Sequence, residues 1–131
     1  MNRAKRVFVK RAGAEDFQST VDFASRMIKD VYNREVNTVW DQDLLNFEKT
    51  YLLNTDNAFI IAVDDKETIV GCLAVRRYNG RIKIFEGLYE LKLTAELARC
   101  FVDRECRRAG VGSLLVAEAE RFCRKAGYRI I

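Results

Sequence analysis

The chain predicts a mixed α/β layer, with helices on both faces of a sheet. Three observations carry that expectation. Candidate elements run strand, helix, helix, three strands, helix, strand across 131 residues. Two apolar runs, 57–63 and 68–75, flank the charged turn Asp64-Asp65-Lys66-Glu67 and so return antiparallel. Other stretches space their apolar residues at helical intervals. The length suits one domain over 1–131, enough for a core and too short for two.

The first element, residues 6–11, reads as a short strand ended by Gly13. From Ala14 to Tyr32 a helix is expected, with Phe17, Val21, Ala24, Ile28 and Val31 on its apolar stripe. Glu15 and Asp16 favour its first turn. A second helix follows Asp41, an N-cap candidate, through Leu44, Leu45, Glu48, Tyr51 and Leu52. After the two central strands, Asn79-Gly80 signals a turn, and a longer strand is expected from Leu91 to Val102. The last helix lines up Val111, Leu114, Leu115, Ala119, Phe122, Cys123 and Ala126, with Glu120 and Arg124 paired on its other face. Gly127 takes the C-cap, and a further strand begins at Tyr128.

Composition excludes several chemistries. The chain has no His, so Ser-His-Asp and Cys-His nucleophile schemes lack their base. Cys72, Cys100, Cys106 and Cys123 form no CxxC pair, so no metal site is expected, and their settings read as small buried apolar residues. No apolar run approaches a membrane span, and the N-terminal stretch from Met1 to Arg6 lacks a signal peptide's apolar core. A cytoplasmic location and no membrane partner are therefore expected. The net charge of +4 is mild and suits an anionic ligand. Nucleic acid is not expected as a partner, because aromatics do not interleave the basic residues.

The most informative stretch joins the apolar run ending at Val102 to the last helix. It reads Cys106-Arg107-Arg108-Ala109-Gly110-Val111-Gly112-Ser113. A helix start offers unpaired N–H groups and a positive dipole end, glycines admit a close ligand, and arginines add charge-assisted bonds. A Walker loop needs Lys after the last glycine, and a dinucleotide fingerprint needs a third glycine where Leu115 stands. A plain strand-to-helix turn remains the alternative reading of the motif taken alone.

With its context, residues 95–115, the motif resembles the central motif of the GNAT superfamily, the acyl-CoA-dependent N-acyltransferases. The shared parts are an apolar strand end, a short acidic loop, Arg-x-x-Gly-x-Gly and a helix opening with Leu114-Leu115. The resemblance implies a GNAT-like mixed, mostly antiparallel sheet and acetyl-CoA as cosubstrate, with no metal. Arg107, Arg108, Ala109, Gly110, Val111, Gly112 and Ser113 would hold the pyrophosphate. Cys100, Phe101 and Val102, on strand 4, would bond the pantetheine arm as an added strand does. A strand-4 N–H near Phe101 or Val102 would stabilise the oxyanion. The acceptor would be a small-molecule or peptide amine, in a pocket formed partly by residues 32–42.

Glu96 is the candidate general base. It interrupts an apolar run, where burial suits a carboxyl to proton abstraction, and it matches the strand-4 position of the catalytic Glu in several family members. Pairing with Arg99 or Arg76, or facing an open cleft, is the alternative. Trp40 reads as a core or lid aromatic, or else as a pocket wall, and Arg76-Arg77 as a solvated strand end.

Family members continue past strand 5 with a helix, often bearing a general-acid Tyr, and two more strands. This sequence ends at Ile131. The expectation is an incomplete domain with the cofactor half present and the acid half absent. A fragment, a shortened gene product, or a homodimer covering the open edge would each account for that end. A non-catalytic acyl-CoA-binding or regulatory module is the second functional reading, and a basic nucleic-acid-associated domain the third.

Overall fold

Four strands form one antiparallel sheet in the order β1-β2-β3-β4 in the computed structural model, which describes residues 6–131. The stretch Met1–Lys5 lies outside the described residues. The strands are β1 (Val7–Arg11), β2 (Ala58–Asp64), β3 (Ile69–Arg77) and β4 (Ala95–Val102). Helix α1 (Phe17–Tyr32) covers one face and α3 (Val111–Ala126) the other, with the short α2 (Gln42–Leu45) between α1 and β2. The expected mixed α/β layer is therefore the observed one, with four antiparallel strands.

Two-residue alternation divides the central strands between two cores. Phe59, Ile61, Cys72 and Ala74 face α1. Ile60, Ala62, Leu73 and Val75 face α3. Both faces are covered, which is why β2 and β3 read as continuous apolar runs. Gly71 sets the approach of α3: a Cβ there would meet Val111 Cγ1 at 3.0 Å and Leu115 Cδ1 at 3.2 Å. Any larger residue would push the start of α3 off the sheet.

Local chemistry accounts for the helix ends. Asn33 closes α1 in the left-handed region at φ 53°, its N–H donating to Lys29 O. Gly127 closes α3 at φ 92°. The expected stripes shift in detail. Thr20, Phe23, Ala24, Met27 and Ile28 are the buried positions of α1, whereas Val31 is exposed. In α3 the buried line is Val111, Leu115, Ala119 and Cys123, and Leu114 points to solvent. Leu114 lies about 100° around the helix from Leu115, which carries it off the buried face. Glu120 and Arg124 do form their i,i+4 pair.

Two expected elements are replaced. The second helix breaks after Leu45 and resumes as a π turn over Glu48–Leu52, whose end donates from Leu53 N–H to Glu48 O. That offset buries Phe47 and Tyr51 together. The strand expected from Leu91 begins at Ala95. Residues 78–94 form a long connection with short 3₁₀ turns at Lys83–Phe85 and Leu91–Leu93. Asn79 and Gly80 do turn the chain, with Gly80 at φ 79°, but they open this excursion instead of a tight hairpin.

Candidate functional site

The sheet order leaves β4 at an edge. The chain leaving α3 returns beside it only at the start, where Thr94 and Ile130 form a parallel bridge. Ala95 N–H donates to Ile130 O, and Arg129 and Ile130 N–H groups donate to Leu93 O. Past Ala95 no strand lies on that side among the described residues. The outer edge of β4, including Cys100, Phe101 and Val102, is thus open to an extended ligand.

At the far end of β4 the chain turns through Arg104–Cys106 into α3. Arg108 at φ 68° and Gly110 at φ 80° occupy the left-handed region and swing successive amides outward. Ala109 N–H donates to Cys106 O, and Leu114 N–H to Gly110 O. The N–H groups of Arg108, Gly110, Val111, Gly112 and Ser113 reach no acceptor among the described residues. A Cβ at Gly110 or Gly112 would meet nothing within 4 Å, so open space lies before these donors. Arg107 and Arg108 are exposed beside them, and Arg107 Nε donates to Val102 O, tying the bend to the strand. Five free amides, a helix dipole and two guanidiniums form a donor set that fits a diphosphate.

A second feature is a cleft of about 620 Å³ on the α2 side of β4. Residues 32–42 form one wall, and the ends of β3 and β4 the other. Trp40, two-thirds exposed, belongs to that wall and not to the core. Arg34 sits over both the Tyr32 and Trp40 rings.

The floor of this cleft is a chain of alternating charges. Arg34 grips Asp41 through both terminal nitrogens, at 2.6 and 3.2 Å. Arg99 Nη1 lies 2.8 Å from Asp41, and its Nη2 and Nε donate to Asp43 at 2.6 and 3.2 Å. Tyr51 OH donates to Asp43 at 2.6 Å. Arg76 approaches Asp43 at 3.5 Å and Glu96 at 3.8 Å, and Arg81 donates to Glu96. Asp41 and Asp43 are both buried. Asp41 occupies the N-cap position but caps nothing with its side chain, which accepts from Asn37 N–H and the two arginines.

The network also shapes β4. The β3–β4 register slips between Cys72↔Phe101 and Ala74↔Ala98, so Leu73 faces two residues, Arg99 and Cys100. Arg99 takes φ 55° in this bulge, a strained state for a residue with a Cβ. Its anchored guanidinium and the Cys72 thiol, which donates to Arg99 O, hold it there. The bulge turns Cys100 outward, so this cysteine is exposed, contrary to the sequence expectation of a buried one.

Burial by itself pushes the Asp41 carboxyl up, but hydrogen bonds from Arg34, Asn37 N–H and Arg99 outweigh it and hold the group at about 2. Asp43 is lowered in the same way, burial being outweighed by Arg99 and Tyr51. A depressed carboxyl stabilises the fold above its unfolded value of 3.8 and loses that contribution as pH falls toward about 2. For Asp41 this is worth about 2 kcal/mol. Urea midpoints should therefore fall steeply between pH 4 and 2, and Asp41→Asn should flatten that slope.

Glu96 does not stand in apolar surroundings. Its side chain is 16% exposed, lines the cleft and is shared by Arg76 and Arg81. Arg99, an alternative partner in the sequence reading, instead binds Asp41 and Asp43. Arg76 is no solvated strand end but a half-buried part of the cleft. Sequence reasoning missed Arg34, Asp43 and Tyr51, and took Asp41 only as a cap. The one local signal was Asp41 and Asp43 flanking Gln42 beside Trp40, with no basic residue adjacent to reveal their partners.

No group of three or more Cys, Asp or Glu side chains is placed to hold a metal among the described residues. No helix there is long and apolar enough to cross a membrane.

The family model described as Acetyltransferase (GNAT) family matches residues 23–131. No curated protein sequence matches significantly. An acetyltransferase of GNAT family from Staphylococcus aureus Mu50 superposes with a TM-score of 0.71 at 20% identity, covering 92% of this chain and 68% of that one. AAC(6')-Iy, in complex with the bisubstrate analogue CoA-S-monomethyl-acetylneamine, gives 0.69 at 19% identity, covering 95% and 76%. An acetyltransferase from Streptococcus agalactiae 2603 gives 0.67 at 19%, covering 95% and 70%.

Proposed function

We propose that this chain, which belongs to the GNAT acetyltransferase family, moves an acetyl group from acetyl-CoA to a primary amine by direct attack in a ternary complex. The observation that carries the reading is the row of five unpaired amides at the start of α3, beside an open strand edge. Arg107 to Ser113 hold the pyrophosphate, chiefly through backbone N–H groups. Cys100 to Val102 bond the pantetheine arm along the β4 edge. Acetyl-CoA supplies the thioester carbonyl that the amine attacks, and the C–S bond that breaks as the C–N bond forms releases CoA as a thiolate. A β4 N–H near Phe101 or Val102 faces the charge that develops on its oxygen.

Glu96 takes the amine's proton, directly or through a water. It is a carboxylate on the cleft wall in a chain without His. Direct transfer is favoured because no cysteine–histidine pair can carry a covalent intermediate. Residues 32–42 and the charged floor receive the acceptor.

Thiol release from acetyl-CoA across an amine panel tests the reading. Glu96→Gln should lower kcat by about 10²-fold or more and change the pH profile of the rate. An unaltered profile would remove Glu96 as the base. Binding of acetyl-CoA with no turnover on any amine would favour the non-catalytic module instead.

A further inference from the structure

Five arginines line the cleft (Arg34, Arg76, Arg77, Arg81 and Arg99) against three carboxylates, Asp41, Asp43 and Glu96, and even with Arg77 paired to Asp56 at 3.1 Å the cations remain in excess. The carboxylates are also the saturated partners. Asp41 accepts from Arg34 and Asn37 and pairs with Arg99, and Asp43 accepts from Arg99 and Tyr51. Neither is free to receive an ammonium group. The arginines nearest Glu96 are underused. Among the described residues Arg76 touches Asp43 and Glu96 only at 3.5 and 3.8 Å, and its buried Nε has no hydrogen-bond partner there. Arg81 makes one side-chain bond among the described residues, to Glu96, and its side chain is 55% exposed.

We propose that the amine acceptor also carries an anionic group, a carboxylate or a phosphate, seated on Arg76 and Arg81 at the Glu96 end of the cleft. The inference rests on the acyl-transfer reading and names its substrate class. These guanidiniums are separate from the diphosphate bend. Glu96 and Val102 are six residues apart on β4, a span of at most about 20 Å at full strand rise, shortened by the bulge at Arg99. Planar guanidiniums with free N–H donors suit carboxylate and phosphate oxygens. An anion placed there competes with Glu96 for both arginines. It thereby frees the Glu96 oxygens to accept the proton of an amine carried on the same molecule. A polycationic acceptor meets an excess of positive charge in the same cleft and is disfavoured.

Matched acceptors test this: glucosamine 6-phosphate against glucosamine, L-phenylalanine against L-phenylalaninol, and spermidine as the cationic member. Turnover is followed by thiol release, and binding by thermal stabilisation of the acetyl-CoA-loaded protein. The charged member of at least one pair should exceed its neutral partner about tenfold or more in kcat/KM, or stabilise the protein where its partner does not. Arg76→Gln should reduce that preference to within about twofold, with the loss in acceptor KM. Arg81→Gln, at a half-exposed side chain, should do the same should the Arg76 variant fold poorly. Equal treatment of both members of each pair, or a preference for spermidine, overturns the inference. Absence of acetyl-CoA binding would refute the acyl-transfer reading and this inference with it. Acetyl-CoA binding without a charge preference sinks the inference alone.

Discussion

Arg99→Ala should lower the unfolding free energy by about 3–5 kcal/mol, the cost of leaving a buried carboxylate without its cation. Here two carboxylates lose the same partner. Asp41 and Asp43 are both buried, and among the described residues Arg99 is the one guanidinium that touches both. Its charge is fastened in place: burial disfavours the guanidinium cation, yet Asp43 and Asp41 outweigh this and raise its pKa. Arg34 would still hold Asp41, and Tyr51 and, at 3.5 Å, Arg76 would still face Asp43, so the loss belongs at the lower end of that range. Against a total stability of about 5–15 kcal/mol, the expected loss is large enough to show in any denaturant titration. Adding Asp41→Asn and Asp43→Asn should recover part of it, since neutral amides do not need the cation. A loss below about 1 kcal/mol would mean that the pairing is no stronger than a surface ion pair. The same variant also frees the bulge at Arg99, so the path of the β4 edge should change with the stability.

Gly112→Asp should act in the opposite sense on fold and function. Gly112 lies in the first turn of α3 without a positive φ, and a Cβ there meets no atom within 4 Å. An acidic residue at a helix start is favoured by the dipole by about 0.3–1 kcal/mol, and Asp is slightly better than glycine within a helix. The melting temperature should hold or rise. Yet the new carboxylate stands before the free amides of Gly110 to Ser113 and satisfies or repels what they would bind. Acetyl-CoA affinity should fall about 100-fold or more, a loss of about 3 kcal/mol. A folded variant with undiminished affinity would separate the bend from the cofactor.

How much of this was legible beforehand follows the range of the interactions. Helix α3, from Val111 to Ala126, reads directly, because its glycine ends and apolar spacing lie within sixteen residues. The β2–β3 pair also reads directly, through the short turn at Asp64, whose carboxylate accepts from the Lys66 and Thr68 N–H groups. The charged floor does not. Arg99 reaches Asp43 across 56 positions and Arg81 reaches Glu96 across 15, and no spacing rule links them. Glu96 looked anomalous in sequence because its neighbours on β4 are apolar, while its cations stand on β3 and the following loop. The π turn at Glu48–Leu52 was equally hidden, since its apolar spacing differs from a helix by one residue.

On the proposed function, the free amides opening α3 seat the diphosphate of acetyl-CoA. Titrating the isotopically labelled protein with acetyl-CoA and following each backbone amide by NMR tests it directly. The largest shifts should fall on Arg108 and on Gly110 to Ser113, with smaller ones along Cys100 to Val102, and Gly112→Asp should abolish both sets. Binding that leaves the amides of Gly110 to Ser113 unmoved would contradict the claim.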